Sequence, residues 1–123
     1  MHDFRVACHR FFHVLIVAEA GWSCKTPQCR VETANARIVG DPVIIGSPRY
    51  PLICVVPITG TPGQGILYPR LAPGSSGLVK ESFALIDQIR SIDKTRVRRL
   101  IGEISADELA RIDEGLEAFL GLG

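Results

Sequence analysis

Apolar positions along the chain fall in short runs, and most of those runs have the length of strands. Val14-Leu15-Ile16-Val17 is rich in β-branched residues and is stopped by Gly21, which predicts a first strand. Residues 21–42 are polar and interrupted by Pro27, Gly40 and Pro42, the pattern of a long loop with at most one weak strand. Val43-Ile44-Ile45 predicts a short strand, and Gly46-Ser47-Pro48 a turn. Pro51-Leu52-Ile53-Cys54-Val55-Val56-Pro57-Ile58 is apolar on both faces and bounded by prolines that stop ladder pairing, so it predicts the most buried strand. Two polar loops, Thr59 to Gly65 and Ala72 to Gly77, flank an extended stretch from Leu67 to Leu71. Ser82 to Ile92 predicts another strand, in which Asp87, Gln88 and Arg90 stand out against an apolar background. Arg96 to Ile104 predicts one more.

The period then changes from strand to helix. Ser105 is a natural N-cap and Glu108, three residues on, completes a capping box, while Asp107 and Glu108 suit the positive end of a helix dipole. Leu109, Ile112, Leu116, Phe119 and Leu120 fall on one helical face, and Gly121 supplies the stop, so residues 105–121 predict an amphipathic helix packed on the sheet. Short strands punctuated by Gly and Pro and closed by one helix predict a mainly β fold, a compact antiparallel barrel with a C-terminal α-helix.

Composition narrows the class without changing that picture. A chain of 123 residues holds one domain, and 46% hydrophobic with 22% charged residues excludes a disordered protein. A domain of this size buries only about two thirds of its unfolded-chain surface, which favours association with a second copy. The net charge of +1 is uneven: residues 105–123 carry Asp107, Glu108, Asp113, Glu114 and Glu117 against Arg111, a net of −4, so the remainder carries +5. Arg90, Lys94, Arg96, Arg98 and Arg99 form the densest basic stretch, opposed locally by Asp93. Such a stretch suits either nucleic-acid phosphates or a solvated strand face.

Four cysteines (Cys8, Cys24, Cys29, Cys54) are too irregular for a disulfide framework and read as reduced cytoplasmic thiols, with Cys54 a small buried hydrophobe. A zinc set of Cys24, Cys29, His9 and His13 would need a looser C-x4-C spacing than structural zinc sites use, so no metal is expected. Arg5 and Arg10 before the apolar residues 11–17, followed by Ala18-Glu19-Ala20, imitate a signal peptide; His13 and Asp3 spoil it, and a strand is the better reading. No run approaches the roughly 20 apolar residues of a membrane span.

Three segments in order carry a family resemblance. They are Val55-Val56-Pro57-Ile58-Thr59; then Gly77-Leu78 and Ser82 through Asp93; then Ile101-Gly102-Glu103-Ile104-Ser105 running into the helix. In this order and spacing they resemble the MazF/PemK toxins, the mRNA interferases of type II toxin–antitoxin systems. The resemblance implies an SH3-like antiparallel barrel with a C-terminal helix, usually a homodimer. It also implies a cytoplasmic, metal-independent and cofactor-free endoribonuclease that cuts single-stranded RNA and is blocked by a cognate antitoxin protein.

In that chemistry the ribose 2′-hydroxyl attacks the neighbouring phosphate, so the site needs a hydroxyl donor and a cation at the phosphate. By the resemblance Thr59 is the catalytic threonine; by its own context it is a strand-end threonine that can bond its own backbone. Asp87, Gln88 and Arg90 match the family's D-Q-x-R segment and are expected at the RNA together with Thr61, although Asp87 and Arg90 equally suit structural ion pairs.

The front end, residues 1–34, departs from the pattern. Family members usually carry Arg-Pro at the start of a strand, with that arginine as the catalytic cation, and no Arg-Pro occurs in that region here. Lys25-Thr26-Pro27-Gln28-Cys29-Arg30 resembles a scrambled version, and Asp41-Pro42-Val43-Ile44-Ile45 resembles the strand with aspartate in place of arginine. Arg30 has the best spacing to Thr59, and Arg37 is the second candidate. Three alternatives stay open: a nearby arginine substitutes, the barrel is an inactive protein- or RNA-binding module, or the sequence carries a reading-frame discontinuity upstream of Asn35.

Overall fold

The computed structural model describes residues 14–20 and 32–122. Its strands are β1 (Val14–Ala20), β2 (Glu32–Val39), β3 (Leu52–Thr59), β4 (Arg70–Leu71), β5 (Ser82–Ala84), β6 (Arg90–Asp93) and β7 (Val97–Glu103). Helices α1 (Pro42–Gly46) and α2 (Ala106–Leu120) complete it. The strands run β4-β5-β3-β2-β1-β7, with β6 also on β3, and all pairings are antiparallel. The result is a mainly β fold, a curled antiparallel sheet with a C-terminal helix, as the periodicity predicts, and of the SH3-like type the resemblance implies.

Burying both faces of the sheet makes two cores. Ala36, Ile38, Ile45, Ile53, Val55, Ile92 and Val97 form one, and Val56, Leu71, Leu78, Ala84, Ile86, Ile104 and Ile112 form the other, beneath α2. β3 feeds both, which is why its residues are apolar on both faces.

Four local expectations need correction. The weak strand allowed for in residues 21–42 is β2, eight residues long and paired with both β1 and β3, so it is a full member of the sheet. It escapes a periodicity reading because Ala36 is small and the inward Arg37 is charged. Val43-Ile44-Ile45 lies in α1 and not in a strand. The Asp41 carboxylate accepts the Val43 N–H at 2.8 Å and Pro42 sits at the first helical turn, so capping outweighs the β preference of three branched residues. Between Leu67 and Leu71 only Arg70–Leu71 is strand, paired with β5. Ser82 to Ile92 is two strands separated by a 3-10 turn, Ile86–Gln88.

Pro57 explains the last of these. It lies inside β3 and not at its border, with its carbonyl accepting the Leu85 N–H at 2.8 Å. A residue in an antiparallel ladder turns its N–H and C=O to the same neighbour, so the N–H that proline lacks is missing on the β5–β6 side. There the partner chain leaves the ladder as the 3-10 turn.

α2 begins with the predicted capping box and ends at Gly121 in the left-handed conformation (φ 70°). Ile112 is fully buried, with Leu109 and Leu116 packed beside it, whereas Phe119 and Leu120 at the end of the expected stripe are 44% and 49% exposed. Glu108 does more than cap. One carboxylate oxygen accepts the Ser105 N–H at 3.0 Å and the other the Ala72 N–H at 2.6 Å, tying the loop after β4 to the helix start.

Burial alone would raise the pKa of Glu108, but these hydrogen bonds and Arg111 outweigh it and hold the pKa below the ordinary carboxylate value. A depressed carboxylate contributes stability that is present above its unfolded pKa and lost as pH falls through the folded one. Glu108→Gln is therefore expected to cost about 1–3 kcal/mol at pH 7 in urea unfolding, with the gap to the parent narrowing below about pH 4. A gap that stays constant with pH would show that the charge is not what holds the loop.

Candidate RNA-binding groove and catalytic site

Thr59 is the last residue of β3, paired with Phe83 of β5, so the best-buried strand of the sheet holds its backbone. Its Oγ1 accepts the Thr61 N–H at 3.2 Å. That is the strand-end turn expected from local sequence, and it brings the two threonines together. The bond uses an oxygen lone pair only, which leaves the hydroxyl proton available to a further acceptor.

Asp87 and Gln88 project from the 3-10 turn that Pro57 forces, and not from a strand. Arg90 opens β6 opposite Val55, four residues before Thr59 along β3, a separation of about 13 Å. Arg90 Nε donates to the Gln88 carbonyl at 3.4 Å. The predicted residues thus form two groups, Thr59 with Thr61 and Asp87 with Gln88 and Arg90, spaced for a few nucleotides of extended single strand.

Tyr68 was not among the candidates and belongs to the second group. Its hydroxyl donates to Asp87 Oδ2 at 2.6 Å, and that hydrogen bond, with burial and the carboxylate charge, raises the phenol pKa. Gly63 packs against the ring, where an added Cβ would lie 2.9 Å from Tyr68 Cβ. An aromatic ring beside an acceptor carboxylate is a surface on which a base can stack and be read at its edge. The pairing joins positions 19 apart in sequence, and no spacing rule signals it.

The loop 60–78 that borders both groups is anchored at three places. Glu108 holds Ala72; Gly115 of α2 lies so close to the Ile66 carbonyl that a Cβ would stand 2.7 Å from it; and the Glu103 N–H of β7 donates to Ser75 O at 3.3 Å. Arg70 and Glu81 add an ion pair at 3.2 Å between exposed side chains, a contact of small energetic weight.

Of the two arginine candidates, Arg30 lies outside the described residues. Arg37 lies inside the fold. It is 6% exposed, and across the β2–β3 ladder it faces the same side as Val56, under α2, whereas Thr59, three residues further on, belongs to the opposite side. Desolvation lowers its pKa to about 10 against the favourable charge of Asp113, and among the described residues its Nε has no hydrogen-bond partner. Arg37 is a buried cation of the helix–sheet interface and does not fill the role of a groove cation.

Among the described residues no group of three His, Cys, Asp or Glu side chains could hold a metal, and the Cys24, Cys29, His9, His13 set lies outside them. Cys54 is half-buried in β3, and burial raises its pKa. No helix of the described residues is long and apolar enough to cross a membrane.

Comparison with known proteins agrees with the geometry. Residues 29–120 match the family model described as PemK-like, MazF-like toxin of type II toxin-antitoxin system. Endoribonuclease MazF9 of Mycobacterium tuberculosis is 40% identical over 74 residues, 58% of this chain and 61% of the relative, so the match spans less than two thirds of that protein. The M. tuberculosis toxin MazF-mt6 superposes with a TM-score of 0.73 at 18% identity, covering 89% of this chain and 98% of the other. A MazE–MazF structure from Deinococcus radiodurans superposes at 0.71 with 22% identity, covering 92% and 96%. These two likenesses establish the fold. With the fold, the strand-end threonine and a family match over three quarters of its length, the chain belongs to the PemK-like, MazF-like family of type II toxin–antitoxin toxins.

Proposed function

We propose that this protein is the toxin of a type II toxin–antitoxin pair and acts as a metal-independent endoribonuclease on single-stranded RNA in the cytoplasm. The observation that carries the reading is the Thr59 hydroxyl, held by a rigid strand with its proton available, with Tyr68, Asp87, Gln88 and Arg90 grouped about 13 Å back along β3. Family membership and the relative named as an endoribonuclease support it.

In the reaction the ribose 2′-oxygen forms a bond to phosphorus and the P–O5′ bond breaks. The 2′-hydroxyl gives up its proton, and the departing 5′-oxygen takes one. The products are a cyclic phosphate and a 5′-hydroxyl end. Negative charge gathers on the phosphate oxygens midway, and a donor fixed on a strand end lowers that barrier because it needs no reorganisation when the charge develops. Arg30 remains a candidate for the accompanying cation. Thr61, Asp87, Gln88 and Arg90 are proposed to bind the flanking nucleotides.

A solved endoribonuclease from a mycobacterial species, at a TM-score of 0.72 and 16% identity, is in complex with its cognate antitoxin. We propose that a cognate antitoxin occupies the same groove here and that two copies associate. The deciding experiment incubates the purified chain with a long single-stranded RNA in EDTA and determines the end groups of any fragments. Discrete cuts with 5′-hydroxyl ends are expected. Intact RNA in the presence of folded protein would replace this reading with that of a binding-only barrel.

A further inference from the structure

We infer that Lys80 supplies the cation that holds the scissile phosphate against Thr59, a role resting on the ribonuclease reading above. Lys80 lies 21 positions from Thr59 in sequence and just ahead of β5. The β3–β5 register closes that gap, because Thr59 pairs with Phe83. The Lys80 side chain then lies across the backbone of Gly60. A Cβ placed on Gly60 would collide with Lys80 Cε and stand 2.7 Å from Nζ. The ammonium group is thus roughly 4 Å from the Cα of Gly60, the residue that follows Thr59 in sequence.

Three features make this a placed charge and not a stray surface lysine. The Ser82 hydroxyl donates to the Lys80 carbonyl at 3.0 Å and fixes the lysine backbone. Glu81, the adjacent acid, is engaged by Arg70 at 3.2 Å and not by Lys80. Among the described residues Lys80 has neither an ion pair nor a side-chain hydrogen bond, so none of them neutralises its charge. An ammonium lying over the residue that follows a strand-held hydroxyl supplies the kind of cation that a phosphate gathering negative charge needs. Gly60 is part of the device, because its missing side chain leaves the space that Lys80 occupies.

The test measures single-turnover cleavage of an all-ribose RNA, and the salt dependence of binding to its 2′-O-methyl analogue, for the parent, Lys80→Ala, Lys80→Arg, Gly60→Ala and the Gly60→Ala/Lys80→Ala double variant. Lys80→Ala is expected to cut about ten- to a hundredfold more slowly and to flatten the slope of log affinity against log salt by about 0.7, the loss of one phosphate contact on a single strand. Lys80→Arg should recover most of both. Gly60→Ala displaces the lysine and should lose part of the activity, and the double variant should cut no more slowly than Lys80→Ala alone. Thermal unfolding of Lys80→Ala should match the parent, since the side chain is exposed.

Parent-like cleavage and an unchanged salt slope in Lys80→Ala overturn the inference, as does a fully additive double variant. A parent that binds the analogue without cutting RNA removes the ribonuclease reading, and the salt slope then decides for or against the Lys80 phosphate contact. A parent that neither binds nor cuts removes both.

Discussion

Thr59→Ala is expected to lower RNA cleavage by about 10²–10³-fold while RNA binding changes less than tenfold, because in the proposed mechanism the lost hydroxyl acts on charge that develops only in the transition state. The fold should hardly notice. Thr59 is partly exposed, and its one side-chain bond among the described residues, to the Thr61 N–H, joins neighbours two residues apart at the surface, so removing it costs about 1 kcal/mol or less. Thr59→Ser keeps the hydroxyl on the same strand end and should retain activity within about tenfold. The discriminating measurement is single-turnover rate beside affinity for a 2′-O-methyl oligonucleotide. If alanine slowed cleavage only in proportion to weakened binding, Thr59 would be a binding residue and not a transition-state donor.

The largest effect on stability is expected at Gly77, far from the threonine in sequence and on the loop that borders the groove. Gly77 has φ +83°, and a Cβ there would overlap the Ile101 carbonyl oxygen and lie 2.7 Å from its carbon. Its counterpart on β7 is as tight: a Cβ on Gly102 would collide with the Ser76 carbonyl carbon and stand 2.5 Å from Ser75 O. Backbone cannot swing away as a side-chain tip can. Gly77→Ala therefore combines left-handed strain with a backbone collision, and a loss of about 3 kcal/mol or more is expected, a fall in Tm on the order of 10 °C.

Gly65→Ala makes the control, since it also replaces a positive-φ glycine (φ +102°) but meets nothing within 4 Å. It should pay only the conformational strain, about 1–2 kcal/mol. Equal losses at the two positions would mean that the contact between the loop and β7 is not what holds the segment in place.

These two results bear on one physical idea. The proposed chemistry calls for a rigid strand end and for a loop that is locked to the body of the fold, at Ala72 through Glu108, at Ile66 through Gly115, and at Ser75–Gly77 through β7. Under the proposed function, anchoring of this kind would let Lys80, Tyr68 and Thr59 hold their positions before RNA arrives, which is where electrostatic catalysis gains over water.

Much of this was legible in the sequence because its cause is local. The apolar run of β3, the Ser105–Glu108 capping box and the Gly121 stop each act through residues within a few positions, and each is found where the pattern places it. The ordered segments ending in Thr59 and containing Asp87, Gln88 and Arg90 pointed to the family, and the family match bears that out. Where local signals conflicted, reading by apolar run failed: the Asp41-Pro42 cap converted three branched residues into α1.

What only the tertiary structure decided are contacts between positions far apart along the chain. The Thr59↔Phe83 register sets Lys80 over Gly60, the missing N–H of Pro57 lifts Asp87 out of the ladder toward Tyr68, and the β2–β3 pairing turns Arg37 under α2 and away from the groove. A strand register is set by which faces the whole sheet must bury, and no window of neighbouring residues contains that information.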